Sequence, residues 1–278
     1  MPSNITSTAG SKVTSYLLGL QQPDGNFRSA TQPHTAETVL RLTYHAVRTL
    51  HLLQQDIPRK NEVIGIAAQA LGSIQPSLRY YAAFILGTLI PGFSPPSNWS
   101  AEINAWPVSI IPAPDSAGLN GWLTWCKEII AIKQAFSRFD DQTTLRDLLL
   151  RLQRPQGGFG ASPNLEDTCI ALECLARCNP ELPGLEPTRL FVDRLQSVFN
   201  GFATGSNAAL GRVESIHAGL RCCQLLRLPL RYPLQTRQLL LDHQMASGGF
   251  SGSTPGEASI VATHRAMQGL FLLDRCPD

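Results

Sequence analysis

Apolar side chains recur every three to four residues through most of this chain, in two alternating styles. Segments such as Thr143–Gln153 (TTLRDLLLRLQ) and Gln235–Gln244 (QTRQLLLDHQ) carry one apolar stripe and a polar flank. Segments such as Glu166–Cys178 (EDTCIALECLARC) and His264–Leu273 (HRAMQGLFLL) are apolar around much of their circumference. A single stripe suits a helix with one face in solvent, whereas all-round apolarity suits a helix enclosed by neighbours. The alternation predicts helical hairpins in two layers, with first helices outside and second helices inside. The predicted pairs are Ser11–Gln21 with Ala36–Leu53, two helices within Asn61–Leu89, Thr143–Gln153 with Glu166–Cys178, Pro187–Phe199 with Val213–Leu226, and Gln235–Gln244 with Glu257–Leu273. Pro76 falls at the first turn of its helix, where a missing N–H costs nothing. β-branched alternation is scarce, so no sheet is expected.

The hairpins share a ladder of turns: QQPDGNF at Gln21–Phe27, QRPQGGF at Gln153–Phe159, QSVFNGF at Gln196–Phe202 and QMASGGF at Gln244–Phe250. The steps between the glutamines are 43 residues (153 to 196) and 48 residues (196 to 244), and 132 residues separate Gln21 from Gln153, three steps of 44. A fixed period of this length marks repeated supersecondary units, here six hairpins. The third is irregular, since Pro91–Pro114 holds six prolines, too many for a long helix. Its first helix shrinks to a piece around Trp99–Trp106, and its second is expected over Ala117–Arg138. Glycine supplies the positive φ that reverses the chain, Phe packs under the turn, and Gln is expected to bond backbone groups left open at the helix end. Because Phe271-Leu272-Leu273 looks uncapped, six hairpins closing head to tail are preferred to an open solenoid, which needs polar caps.

At 278 residues, 43% hydrophobic and 16% charged, the chain can bury a large core and an apolar cavity. It is read as a single domain over 11–278, preceded by a disordered or extended 1–10. A net charge of +2 without a polybasic run disfavours nucleic acid. Met1–Gly10 is polar and lacks the apolar core of a signal peptide. No stretch reaches the ~18 apolar residues of a spanning helix. Seven cysteines without a Cys-x-x-Cys spacing fit buried thiols in a reducing cytoplasm better than a disulfide framework. Cys169, Cys222 and Cys223 could contribute to a metal site, though small apolar core residues are the favoured reading.

The ladder resembles the prenyltransferase/squalene-cyclase repeat, clearly in units one, four, five and six and weakly in two and three. The resemblance implies an all-α fold, an α/α toroid (α6–α6 barrel) of six inner and six outer helices around a cavity that holds isoprenoid chains in relatives. Two branches differ in their site residues. Protein prenyltransferase β-subunits hold zinc with Asp and Cys two apart and a His; the matching positions here are Arg212, Glu214 and Ala262, which do not make that site. Class II terpene cyclases use D-x-D-D-T, which Asn164-Leu165-Glu166-Asp167-Thr168 resembles. On that likeness Glu166 is the proton donor, Asp167 its carboxylate partner, and Thr168 a helix-start hydrogen bonder. Protonating an alkene needs a neutral yet strongly acidic carboxyl, which neighbouring carboxylates sharing a proton can provide. The carbocation then needs dry aromatic walls. Against this stands the ordinary capping role of such residues at a helix start.

Aligning the second helices on their Leu-rich ends stacks equivalent positions. One column reads Arg41, Glu166, Glu214, Val261; another reads Tyr44, Tyr80, Cys169, His217, His264. Facing inward, the second column would line a cavity with aromatic walls and proton-transfer groups; facing between helices, its members are packed residues with satisfied polar atoms. Trp122 and Trp125, with Trp99 and Trp106, are core filling by default and also fit an apolar entrance. Asp140-Asp141 reads as a helix cap before a magnesium–diphosphate pair. The first functional expectation is acid-initiated, class II-type cyclisation or rearrangement of an isoprenoid or polyene. Glu166, Asp167 and Glu214 are its catalytic carboxylates, and Arg41, Tyr44, Tyr80, Trp122, Trp125, Cys169, His217 and His264 its substrate-binding set. It needs no metal or cofactor and is placed in the cytoplasm, with Arg41 anchoring any diphosphate or carboxylate. The alternatives are a prenyltransferase-like β-chain lacking the usual zinc ligands, or a non-catalytic toroid binding an apolar ligand or partner. A partner subunit and peripheral membrane contact stay open.

Overall fold

A computed structural model of the protein describes residues 4–29, 32–97, 99, 102, 118–136, 142–182, 184–203, 211–253 and 255–275. Eleven helices occur among them: α1 Asn4–Gly19, α2 Ala36–Leu52, α3 Lys60–Ala70, α4 Pro76–Leu89, α5 Leu119–Phe136, α6 Gln142–Arg151, α7 Leu165–Cys178, α8 Glu186–Arg194, α9 Val213–Leu226, α10 Pro233–Asp242 and α11 Ile260–Leu273. The boundaries follow the sequence pattern closely. The exceptions are α8, which ends at Arg194 where the sequence pattern predicts a helix to Phe199, because the chain turns there into a short β-hairpin, and α1, which starts within the stretch read as extended. Ala9, Val13 and Leu17 are all buried, which ties this segment into the core. Most of the expected short helix around Trp99–Trp106, Trp106 itself and the Asp140-Asp141 pair lie outside the described residues. Trp99 is buried, its ring centroid 6.1 Å from that of Phe136.

The expectation of no sheet needs correction at the turns. β1 (Gln196–Ser197) pairs antiparallel with β2 (Gly201–Phe202), and β3 (Phe250–Ser251) with β4 (Ala258–Ser259). Isolated bridges join Gln21 to Phe27 and Gln244 to Phe250. In these three turns the six-residue interval between Gln and Phe is thus the span of a tight hairpin in which the two residues face each other, whereas Phe159 bridges Asn164.

The chain forms two compact units, Met1–Ser94 with Arg212–Glu214 and Arg237–Asp278, and Pro95–Gly211 with Ser215–Thr236. In the first, α2 packs on α4 and α11, α3 packs on α4, and α1 reaches α11 and α2. In the second, α7 packs on α5 and α6. Second helices bury far more of their surface than first helices. In α6 only Leu145 and Leu149 are buried, whereas α7 buries Leu165, Asp167, Thr168, Cys169, Ala171, Leu172, Cys174 and Leu175. That is the layering the two apolar styles predict.

Each turn is built as a socket for its Phe. Phe27, Phe159, Phe202 and Phe250 are at most 1% exposed, each gaining about 1.5–3 kcal/mol from burial. In three turns the Phe N–H donates to a Thr hydroxyl of the following second helix: Phe27 to Thr43 (3.1 Å), Phe159 to Thr168 (3.0 Å) and Phe250 to Thr263 (2.9 Å). The turn glycines press on the first helix of a neighbouring hairpin. A Cβ on Gly157 would lie 1.9 Å from the Pro187 carbonyl oxygen, and one on Gly248 would lie 2.3 Å from that of Lys12. Gln21 donates to the Gly25 carbonyl of its own turn (3.3 Å), but the other three turn glutamines reach beyond their own helix end. Gln153 donates to Thr188 Oγ1 (2.6 Å), Gln196 to the Pro229 carbonyl (3.1 Å) and Gln244 to the Ala9 carbonyl (3.1 Å). They stitch one hairpin to the next, and Gln244 in the last hairpin reaches the first.

Candidate functional site

The first unit gathers an aromatic wall from α2, α4 and α11. Tyr44 and His45 lie one residue apart on α2, so their rings diverge by roughly 100° around the helix. Tyr44 meets α4: its ring centroid is 5.6 Å from Tyr80 and 5.4 Å from Tyr81, and its hydroxyl is 3.3 Å from that of Tyr80. Phe84 continues the wall one helical turn beyond Tyr80, with centroids 4.8 Å apart. His45 meets α11 through His264, ring to ring at 4.8 Å, and Tyr44 is 6.5 Å from His264. These separations favour edge-on and tilted aromatic pairs. Tyr81 and His264 are buried, while Tyr44, His45, Tyr80 and Phe84 keep part of their surface open.

The tautomer of His264 follows from its neighbour. Thr49 Oγ1 lies 2.7 Å from the His45 carbonyl oxygen and 2.9 Å from His264 Nδ1. The carbonyl can only accept, so the hydroxyl donates to it and receives the imidazole Nδ1–H. In the neutral ring the lone pair then sits on Nε2. Tyr44, Tyr80 and His264, three members of one sequence column, are thus brought together. His45, Tyr81 and Phe84 were missed; their signal was adjacency in sequence to column members or, for Phe84, a four-residue step.

The second unit holds the other half of that column. Cys169 on α7 is buried, close enough to the buried Cys222 thiol on α9 to disfavour its thiolate. His217, half-buried on α9, is near enough to Glu173 for its charge to act on that carboxyl. Glu173 is the hub: Arg221 Nε donates to Oε1 at 3.1 Å and Lys127 Nζ approaches Oε2 at 3.6 Å. Burial alone would raise the Glu173 pKa; Lys127, Arg221 and then His217 outweigh it and hold the carboxyl below its ordinary value. The sequence reading missed Glu173 and Arg221, although each lies seven residues beyond a singled-out column member, Glu166 and Glu214. Two helical turns on, the same face continues.

Within Asn164–Thr168 the roles divide. Asn164 caps α7, its side-chain oxygen accepting from the Asp167 N–H at 2.8 Å. The Asp167 carboxylate accepts from Asn164 Nδ2 at 2.8 Å and from the Asn120 amide on α5. Thr168 donates to the Asn164 carbonyl at 2.6 Å while receiving the Phe159 N–H. Glu166 is half-buried and makes no hydrogen bond or ion pair with the described residues. Glu214 lies 3.8 Å from Arg212 and 3.5 Å from Arg265. Ala262 is buried. Arg41 and Trp125 are half-buried, and Trp122 is buried with its indole N–H unmatched among the described residues. Also among the described residues, no group of three or more His, Cys, Asp or Glu side chains is arranged to hold a metal ion. No helix there is long and apolar enough to cross a membrane. A groove of about 450 Å³ in this unit is lined by Leu182, Arg189, Leu226 and Arg227, among others. None of the expected site residues lines it.

The family model of the prenyltransferase alpha-alpha toroid domain matches residues 3–79 and 216–277. Among solved structures, Candida albicans protein geranylgeranyltransferase-I complexed with GGPP superposes with a TM-score of 0.60 at 16% identity, covering 87% of this chain and 86% of that one. A type II terpene cyclase from Scytonema in complex with merosterolic acid A gives a TM-score of 0.47 at 16% identity, covering 97% of both chains. No curated protein matches the sequence. At these identities the likeness is one of fold, the α/α toroid.

Proposed function

The chain belongs to the prenyltransferase alpha-alpha toroid domain family, and from that premise we propose that it binds an isoprenoid-like apolar chain against the aromatic wall of α2, α4 and α11. The single observation carrying this reading is the convergence of Tyr44, Tyr80 and His264, with Tyr44 and Tyr80 only partly buried. Flat, polarisable rings suit the regularly spaced, isolated double bonds and methyl branches of a polyisoprenoid, and the paired hydroxyls can orient a polar terminus. The ligand class is carried over from the Candida albicans structure, whose complex contains GGPP. Titration with an all-trans C20 isoprenoid alcohol, followed by intrinsic fluorescence, tests the reading. Tyr44→Ala and Tyr80→Ala are expected to weaken binding on the order of tenfold each. Unaltered affinity in both variants defeats it.

A second reading adds chemistry, acid-initiated cyclisation or rearrangement with Glu166 as proton donor. Its support is that Glu166 engages no other described group, so the carboxyl is uncommitted. The opposing observation is Asp167, whose carboxylate is already held by two amides and has less freedom to share a proton. Glu166→Gln keeps the shape and removes the acid. Product formation from polyprenyl substrates that survives this change eliminates Glu166 as the donor. If no product forms with the unaltered protein while the alcohol still binds, the non-catalytic reading holds.

A further inference from the structure

The four Gly-Phe turns share one job, yet the fifth hairpin fills its tip differently. The two residues before the last three of each motif are Pro23-Asp24, Pro155-Gln156 and Ala246-Ser247, but Val198-Phe199 in QSVFNGF. Phe199 is 82% exposed and Val198 39%, so neither side chain is needed to close the turn. The first turn of α10 adds Leu234, 71% exposed, and α8 adds Leu190, 47% exposed. The β1–β2 turn and the start of α10 are joined directly. The Gln196 side chain donates to the Pro229 carbonyl (3.1 Å) and accepts from the Arg231 N–H (2.8 Å), and Gly201 backs directly onto Thr236. By contrast Ile74 is exposed alone, as single apolar residues often are.

The elements that carry these residues also carry Arg189, Arg194, Arg227 and Arg231, against Glu181, which shares a groove with Arg189 and Arg227, Glu186 and Asp193. Glu186 pairs with Arg189 and Asp193 with Arg231. Arg194 and Arg227 form no ion pair with the described residues. The β1–β2 tip is therefore an exposed apolar turn beside elements that carry one more cation than carboxylate, four arginines against Glu181, Glu186 and Asp193.

We propose that this face, the β1–β2 tip with the first turn of α10, docks on an anionic lipid surface. Phe199 and Leu234 enter the headgroup–acyl boundary while the arginines stay at headgroup level. Two arguments favour a membrane over a protein. Four side chains supply far less than the about 800 Å² per partner of a stable protein interface. Shallow insertion of a few large apolar groups, helped by cations, is by contrast what an interface of lipid and water accepts. The reading is independent of whether α2, α4 and α11 hold an isoprenoid.

Flotation with vesicles of phosphatidylcholine alone and of phosphatidylcholine with phosphatidylserine tests it. Binding is expected only to the anionic vesicles and is expected to fall as salt rises. The double variant Phe199→Ser with Leu234→Ser takes a residue that a sister turn already uses, and should lower the partition coefficient at least on the order of tenfold. Arg194→Gln should lower it by roughly fivefold. In Phe199→Trp, the emission added over the parent spectrum should shift to the blue with anionic vesicles. A protein that never floats, flotation unchanged in the double variant, or no blue shift overturns the proposal. So does a dimer in sedimentation that the double variant dissolves, because the occupant is then a second copy.

Discussion

Gly157 is the residue on which hairpin stacking presses hardest. Its φ is +98°, and a methyl there would meet the Pro187 carbonyl at 1.9 Å. Gly184 has a similar φ of +76° but open space around it. Gly184→Ala should cost about 1 kcal/mol, the left-handed strain alone, and Gly157→Ala at least about 3 kcal/mol, since α8 must also move. Urea unfolding of the two variants separates the contributions; equal losses would mean the turn does not bear on α8. Thr168→Val is a second case: it keeps the volume but leaves the buried Phe159 N–H without an acceptor, at about 1–3 kcal/mol. The sequence showed the Gly and Phe because their identities repeat at fixed spacing. It showed Thr168 as a helix-start hydrogen bonder but hid its second bond, because that partner lies nine residues upstream, across the turn.

At the scale of helices, the two apolar styles made α2 to α11 legible to within a few residues, since each style is a direct consequence of how many neighbours enclose the helix. Charge placement was less legible. Half-buried positions of the second helices include Arg41, Arg48 and Arg265 in one unit and Lys127, Glu173 and Arg221 in the other, so these faces are more polar than the apolar style implied. A 16% charged composition says nothing about which charges fold inward. The Glu173 hub makes a testable consequence. Its carboxyl is held below the ordinary 4.5 by Lys127 and Arg221, against the opposing effect of burial. A group with a lowered native pKa lends stability above its unfolded value and loses it as pH falls through the native one. Acid unfolding should therefore steepen below about pH 4.5, and Glu173→Gln should flatten that part of the stability–pH curve. A variant with an unchanged acid limb would mean that the ion pairs are too well solvated to matter.

Across the molecule, thiol chemistry and the meeting of the chain ends both report on cooperativity. Burial pushes the thiol pKa of Cys126, Cys174 and Cys222 well up and that of Cys178 to about 11. Because only thiolates react readily, labelling of these four at pH 8 should track unfolding of the second unit, with Cys178 the least protected. The first unit depends on the two ends of the sequence. Ala9, Val13 and Leu17 of α1 are buried, Gln244 Nε2 donates to the Ala9 carbonyl, and Gly248 packs directly against the Lys12 backbone. This is how the uncapped Phe271-Leu272-Leu273 end is dealt with: α11 packs on α1 and α2 instead of ending in solvent. Burial of Val13 and Leu17 is worth roughly 1.5–3 kcal/mol each, so α1 is a structural member of the last hairpin as much as of the first. Removing Met1–Gly19 should therefore lower amide protection in α11, more than two hundred residues away in sequence, by opening the face it covers. Gln244→Ala should cost only about 1–2 kcal/mol for its bonds to the Ala9 and Gly248 carbonyls. Hydrogen exchange distinguishes this from a peripheral α1: if α11 keeps its protection after the deletion, the ends touch without supporting each other.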